Sequence, residues 1–397
     1  MISVEQADQI IRTCQRQYGT ISLPLLQANG HVLAEKIQAD RDLPPFNRVA
    51  MDGIAIRFED FERGQKAFSI AGVVAAGEPG PEALLIDTCF EIMTGAVLPP
   101  SSDTVIPYEH LEIQGGVSQI IHDTVKKGQN IHVQGSDHQQ GSVLIQPGKL
   151  IGPIEISVAA SCGKTHLLVN KAPKVVIFSS GNELVEINET PLPYQIRRSN
   201  NYTIKATLQQ YGLDATMLHV TDNLELVTQA LQQATADFDV LILSGGISMG
   251  KFDYIPQALE SIGVEKQFHK VQQKPGKPFW FGTFGTQGVV FALPGNPVST
   301  YLCLIRYVIP WLENALGYPV KSPAYAVLDS DFRFESPLQY FMQVKLWQDE
   351  NAVLHATPVQ NKGSGDYASL LEADGFMELP AGQTEFKAGA VFRIHLK

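Results

Sequence analysis

The chain has 397 residues, 44% of them hydrophobic and 18% charged, and a net charge of −11, a length that supports roughly two to four compact units rather than one core. The negative balance excludes a general nucleic-acid surface, which needs a basic stripe to displace counterions from phosphates. No apolar run approaches the roughly 18 residues needed to cross a bilayer. The opening residues also lack the basic-then-apolar order of a secretory signal, so no membrane association and a cytoplasmic location are expected. Cys14, Cys89, Cys162 and Cys303 are far apart with no C-x-x-C pair, and read as reduced core thiols rather than a zinc or disulfide framework. The ten histidines are scattered and read as structural or surface residues.

In chain order, helical apolar spacing runs over residues 4–19 and again over residues 21–37, with Gly19 between. From Asp42 to about Gly141 the texture changes to short β-type runs broken by glycine and proline, which predicts a mostly β insert. Residues 141–163 read as an extended stretch followed by a helix. Between about Lys171 and Gly317, buried-strand runs (KVVIFS, ATMLHV, DVLILS, GVVFALP) alternate with helical ones. Such alternation predicts a mostly parallel sheet covered on both faces, with ligands at the carboxyl ends of its strands. The run 298–317 reads as a helix kinked at Pro310. After Pro323 five short strand-like runs predict a small β barrel or sandwich.

The informative loops follow three of those strands. They hold Ser180-Gly181, then Ser244-Gly245-Gly246 with Ser248 and Gly250, then Pro294-Gly295-Asn296-Pro297. Glycine lets backbone N–H groups close on an anion, and the helix start that follows adds partial positive charge. One such loop is an ordinary tight turn; three on one sheet edge predict a phosphate or nucleotide pocket. Glu183, Asp222 and Asp253 stand beside these loops, and carboxylates from several strand ends suit Mg²⁺, which keeps waters and bridges to phosphate oxygens. Each alone also fits a helix cap or a surface charge. Lys274-Pro275-Gly276-Lys277-Pro278 places two ammonium groups on a stiff turn, suited to an oxyanion or to charge developing on a phosphoryl group. Cys162-Gly163-Lys164-Thr165 is not a P-loop, because Val158 stands where its first glycine is needed, and no G-x-G-x-x-G follows a strand.

Leu43-Pro44-Pro45-Phe46-Asn47 with Ala50-Met51-Asp52-Gly53, Ile92-Met93-Thr94-Gly95-Ala96, the three glycine loops and K-P-G-K-P occur here in one order. In that order they resemble the molybdopterin molybdenumtransferase family, represented by bacterial MoeA and the E domain of gephyrin, over essentially the whole chain. The resemblance implies a multidomain α/β plus β fold: an elongated, discontinuous N-terminal linker domain (1–41 and 140–170), a mostly β insert (42–139), a three-layer α/β molybdopterin-binding domain (171–320) and a C-terminal small β barrel (321–397). It also implies a homodimer in which Asp52 and Thr94 of one subunit reach a pocket that Glu183, Asp222, Asp253, Lys274 and Lys277 of the other line. Ser364 matches a family serine associated with the molybdate region. The family reaction takes adenylylated molybdopterin and molybdate and releases AMP and finished cofactor with Mg²⁺, the pterin nucleotide arriving by transient contact with the adenylylating enzyme.

The chain departs from the family pattern at Asn182, His132, Ser136 and Lys251, and at Gln343, where many members carry an arginine. Lys345, two residues on and on the same strand face, is the expected replacement charge. Two other readings compete: a non-catalytic pterin-nucleotide carrier or scaffold, and a phosphohydrolase using the same α/β module. The acids and paired lysines favour catalysis over retention, and the A-M-D-G and M-T-G-A segments speak against the hydrolase.

Overall fold

Ser3 opens the first helix, α1 (Val4–Thr13), with a capping box in which its hydroxyl accepts from the Gln6 N–H and the Gln6 side chain accepts from the Ser3 N–H. Val4, Ala7 and Ile11 form its buried face, the spacing that predicted it. The computed structural model describes residues 1–80, 84–247 and 253–397. It divides into two compact units, residues 35–146 with 153–165, and residues 1–34, 147–152 and 166–397.

The second helical reading, over residues 21–37, is wrong. Thr20–Pro24 is a strand paired antiparallel with His166–Asn170, followed by a short 3-10 turn at Leu25–Ala28. Pro24 removes an N–H from any helix through this stretch, and a strand partner distant in sequence wins over local spacing.

In the smaller unit six strands form one sheet: β1 (Gly53–Ile56), β2 (Ala67–Val74), β3 (Thr88–Ile92), β4 (Thr104–Pro107), β5 (Leu111–Gln114) and β6 (Val117–Ile120). Their order is β4-β1-β3-β2-β6-β5, antiparallel except for β2 with β3. Gly53 is fixed by this packing, since a Cβ there would lie 1.8 Å from the Ile106 carbonyl oxygen. The helix expected after the extended stretch is Pro153–Ser161.

The larger unit holds the α/β sheet. Its parallel strands are β7 (Val175–Ser180), β8 (Thr216–Val220), β9 (Val240–Ser244) and, later in the chain, Gly288–Leu293. Three of the four are buried along their whole length, as a sheet covered on both faces requires. Alternate residues go to opposite layers. Val175 and Ile177 join a core with Ile204 and Leu208 of α2 (Ser199–Gln209), while Val176 and Phe178 join one with Val227 and Leu231 of α3 (Leu224–Asp237) and Ile255 of α4 (Ile255–Ser261).

Two antiparallel strands, β10 (Glu265–His269) and, after the short β11 (Gln273–Lys274), β12 (Trp280–Phe284), extend the sheet beyond β13 (Gly288–Leu293). These were not legible as strands, because β10 is polar and β12 follows the proline-rich turn directly. Helix α5 (Pro297–Cys303) passes into a five-residue π turn, Leu304–Val308, and then α6 (Ile309–Leu316), with Pro310 in the first turn of α6. The irregularity expected at Pro310 therefore takes the form of a wider turn just before it. Proline offers no N–H to the preceding turn, and single π turns absorb such a defect.

The chain ends in the predicted barrel. β14 (Ala324–Leu328), β15 (Gln339–Gln348), β16 (Leu354–Pro358), β17 (Gly375–Leu379) and β18 (Val391–Leu396) close in the ring β15-β16-β14-β18-β17-β15. Met342 and Val344 point into its core with Met377 and Ile394. Strand β11 adds in parallel to β15, pairing Gln273 with Gln339 and Lys274 with Tyr340, so the barrel grips the base of the K-P-G-K-P turn.

Candidate active site

The glycine loops meet at the carboxyl edge of the parallel strands. Asn200, in the first turn of α2, ties two of them together, its Nδ2 donating to Ser244 Oγ at 2.9 Å and to the Gly295 carbonyl at 2.7 Å. A Cβ on Gly295 would sit 3.4 Å from the Gly245 Cα. Gly245 and Gly246 have φ of +90° and +65°, conformations open chiefly to glycine. On the barrel side, Ser364 accepts at Oγ from Asn296 Nδ2 (2.9 Å) and through its carbonyl from the Val298 N–H (3.1 Å).

These contacts frame a cavity of about 460 Å³. Of the predicted residues, Glu183, Gly245, Gly246, Lys274, Lys277, Pro294, Gly295, Asn296 and Ser364 line it. Ser180, Gly181, Ser244 and Pro297 belong to the same loops without lining the cavity. Ser248 and Gly250 lie outside the described residues.

Lys274 and Lys277 are exposed and, among the described residues, neither is ion-paired to a carboxylate. The Lys274 ammonium lies 5.4 Å from the centre of the Phe334 ring. Two cations without an ion-pair partner among the described residues, lining the cavity with the glycine loops, suit it to an anion.

Asp222 lies at the end of β8, where its carboxylate accepts from the Asn182 N–H at 3.3 Å while Asn182 Oδ1 accepts from the Asp222 N–H at 3.1 Å. Asp253 is partly buried just before α4. Nearby, half-buried His219 hydrogen-bonds to Ser179 Oγ (3.1 Å), which also accepts from Asn201. Burial, then the Arg198 charge, holds this imidazole below its ordinary pKa, so it is neutral at pH 7. Among the described residues no three His, Cys, Asp or Glu side chains are grouped to hold a metal ion. The acids thus fit Mg²⁺ only in the form where one or two carboxylates share it with phosphate oxygens and water.

Asp52 and Thr94, on two loops of the smaller unit, are in direct contact. Asp52 Oδ1 accepts from the Thr94 N–H at 2.6 Å and from its hydroxyl at 2.7 Å, which holds the carboxyl below the usual aspartate range. A depressed carboxyl contributes stability above its unfolded value, about 3.9, and loses it as pH falls through the folded value. Thr94→Val keeps the N–H but deletes the hydroxyl, so the Asp52 midpoint in an NMR titration should rise part-way toward the ordinary range; an unmoved midpoint would contradict the pairing.

The sequence missed several wall residues: Gln273, Leu338, Tyr340, Phe341 and Asn361, and Asn200 behind them. Gln343 does line the cavity, 2% exposed, with its Oε1 accepting from Ser369 Oγ at 3.0 Å. Lys345 is no replacement cation for it. It shares the outer strand face, as spacing requires, but lies past the part of β15 that the α/β layers cover, exposed and paired with Asp374 at 3.3 Å.

A helix-flanked sheet with glycine loops at its carboxyl edge and a small barrel packed on it defines a class of multidomain anion-binding proteins, and similarity to known proteins narrows that class. Residues 2–163 match the model of the MoeA N-terminal region (domain I and II), residues 176–314 a probable molybdopterin binding domain, and residues 325–397 the MoeA C-terminal region (domain IV). A molybdopterin molybdenumtransferase from Synechocystis sp. is 41% identical over all of both chains, and one from Staphylococcus epidermidis is 31% identical over all of this chain and 95% of its own. The crystal structure of a molybdopterin biosynthesis MoeA protein from Pyrococcus horikoshii superposes with a TM-score of 0.85 at 27% identity, covering 100% of this chain and 99% of the other. The chain belongs to the MoeA family of molybdopterin molybdenumtransferases, enzymes of molybdenum cofactor biosynthesis.

Proposed function

We propose that this protein inserts molybdate into adenylylated molybdopterin and releases AMP in a Mg²⁺-dependent step. The observation that carries this reading is the convergence of two glycine loops, Lys274, Lys277 and Ser364 on one cavity. The loop N–H groups would bind the pyrophosphate, and the two ammonium groups would neutralise charge that grows on it as the anhydride bond breaks. Water adds across that bond, so each phosphorus leaves with its own oxygen and AMP departs. Glu183 and Asp222 would hold Mg²⁺ together with phosphate oxygens, and Asp253 would orient that set. The cation, when bound, supplies charge neutralisation at the phosphates. Molybdate would be met by Ser364 and the Gln343 amide, and the substrate's own dithiol would supply the sulfur ligands, its two protons leaving with one molybdate oxygen as water.

The reading extends to the four-domain division and to a cytoplasmic homodimer in which Asp52 and Thr94 face the partner's cavity. It includes transient delivery by an adenylylating enzyme. Purified protein given adenylylated molybdopterin, molybdate and Mg²⁺ should release AMP, and removal of Mg²⁺ by chelation should suppress it. Tight binding of the nucleotide without AMP release would instead establish a carrier.

A further inference from the structure

Beneath the K-P-G-K-P turn lies a buried polar chain to which no part of the proposed chemistry assigns a task. Gln273 is fully buried, and its Nε2 donates to the Pro275 carbonyl at 3.1 Å and lies 3.7 Å from Cys303 Sγ. Its Oε1 accepts from the hydroxyl of Tyr307. The amide can point only one way, because the reverse orientation would set Oε1 against the Pro275 carbonyl, two acceptors with no proton between them. Tyr307 must then be the donor. It comes from the π turn, is 2% exposed, and stacks on Phe279 with ring centroids 4.9 Å apart.

The turn above is correspondingly constrained. Gly276 has φ +89°, and a Cβ there would lie 2.6 Å from Gln273 Nε2 and 2.8 Å from Cys303 Sγ. Pro275 and Pro278 offer no N–H, so few main-chain bonds hold the turn: Val271 N–H to the Lys277 carbonyl at 3.0 Å, and Phe279 N–H to the Gly276 carbonyl at 3.2 Å. The side chain of Gln273 supplies the bond missing at the turn's centre.

We propose that Gln273 and Tyr307 are positioning residues: the π turn aims the Tyr307 hydroxyl at Gln273, whose amide fixes the proline turn and so sets where the Lys274 and Lys277 ammonium groups stand in the cavity. Gln273 borders the cavity floor and Tyr307 lies behind it, and both act through the lysines. The inference rests on the reading of the cavity as an anion site.

The test is a double-mutant cycle on the full-length protein with Y307F and K277A, read twice, as kcat/KM for AMP release and as calorimetric affinity for inorganic pyrophosphate. Y307F keeps the ring stacked on Phe279 and removes one oxygen. It should weaken both readouts by about tenfold, the effect of losing one partner of a buried hydrogen bond, whereas in a K277A background, where only Lys274 is left to misplace, it should change them by about threefold or less. Q273M is the second variant and should reproduce the non-additivity. Equal factors in both backgrounds, or no loss from Y307F in the parent, would overturn the proposal. A parent protein that binds pyrophosphate yet releases no AMP would sink the catalytic reading alone, with the binding cycle still deciding the positioning.

Discussion

Replacing Lys277 by alanine is expected to lower kcat/KM for AMP release by about 100- to 1000-fold, the usual effect of deleting one fixed electrostatic group aimed at charge that develops in the transition state. Lys277 sits on a turn closed from beneath by buried groups, lines the cavity together with Gly245, Gly246 and Ser364, and is ion-paired to no carboxylate among the described residues. A cation already paired would have little field left for a ligand. Because the side chain is exposed, its loss should leave thermal stability nearly unchanged. Steady-state AMP release and a melting curve on the same sample check both halves, and activity within about threefold of the parent would remove Lys277 from any role in transition-state stabilisation.

The largest effect on stability should come from Asp8→Ala. Arg306, 5% exposed in the π turn, meets Asp8 bidentately at 2.7 and 2.6 Å, and its next acid, Glu378, stands at 4.0 Å and is committed to His395 at 2.6 Å. Arg306 thereby connects α1 to the helix and to barrel strand β17. Deleting Asp8 leaves a buried guanidinium without its main counter-ion, a change that costs about 3–5 kcal/mol and should lower the Tm by on the order of 10 °C. Arg306→Met, which removes the charge and keeps the volume, should cost less. Denaturant titration of both variants tests this, and a loss below about 1 kcal/mol for Asp8→Ala would class the pair with surface salt bridges.

Most of the architecture was legible because burial wrote itself into periodicity. Three of the four parallel strands are near-continuous apolar runs buried along their whole length, and the barrel strands are short β-type runs set off by turns. The site was legible where glycine, proline or a charge interrupts such a run: hence Gly245, Lys274 and Asn296. It was illegible where a side chain earns its place only by tertiary contact. Asn200 looks like any polar residue in a first helical turn, Tyr340 like any barrel aromatic, and nothing local marks Gln273 as buried. Residues 21–37 failed for the same reason, since their partner strand lies at His166–Asn170. The period-two argument for Lys345 was right about its face and wrong about its reach, which depends on how far the covering layers extend along β15.

The central claim, that groups from two copies of the chain complete one site, is tested most directly by mixing inactive variants. If two copies share each site, Asp52→Ala and Lys277→Ala variants unfolded and refolded together should give mixed dimers with one intact site each and recover about a quarter of the parent's AMP release after random pairing. A mixture that stays as inactive as its two components, although mixed dimers are shown to form, would mean that each subunit works alone.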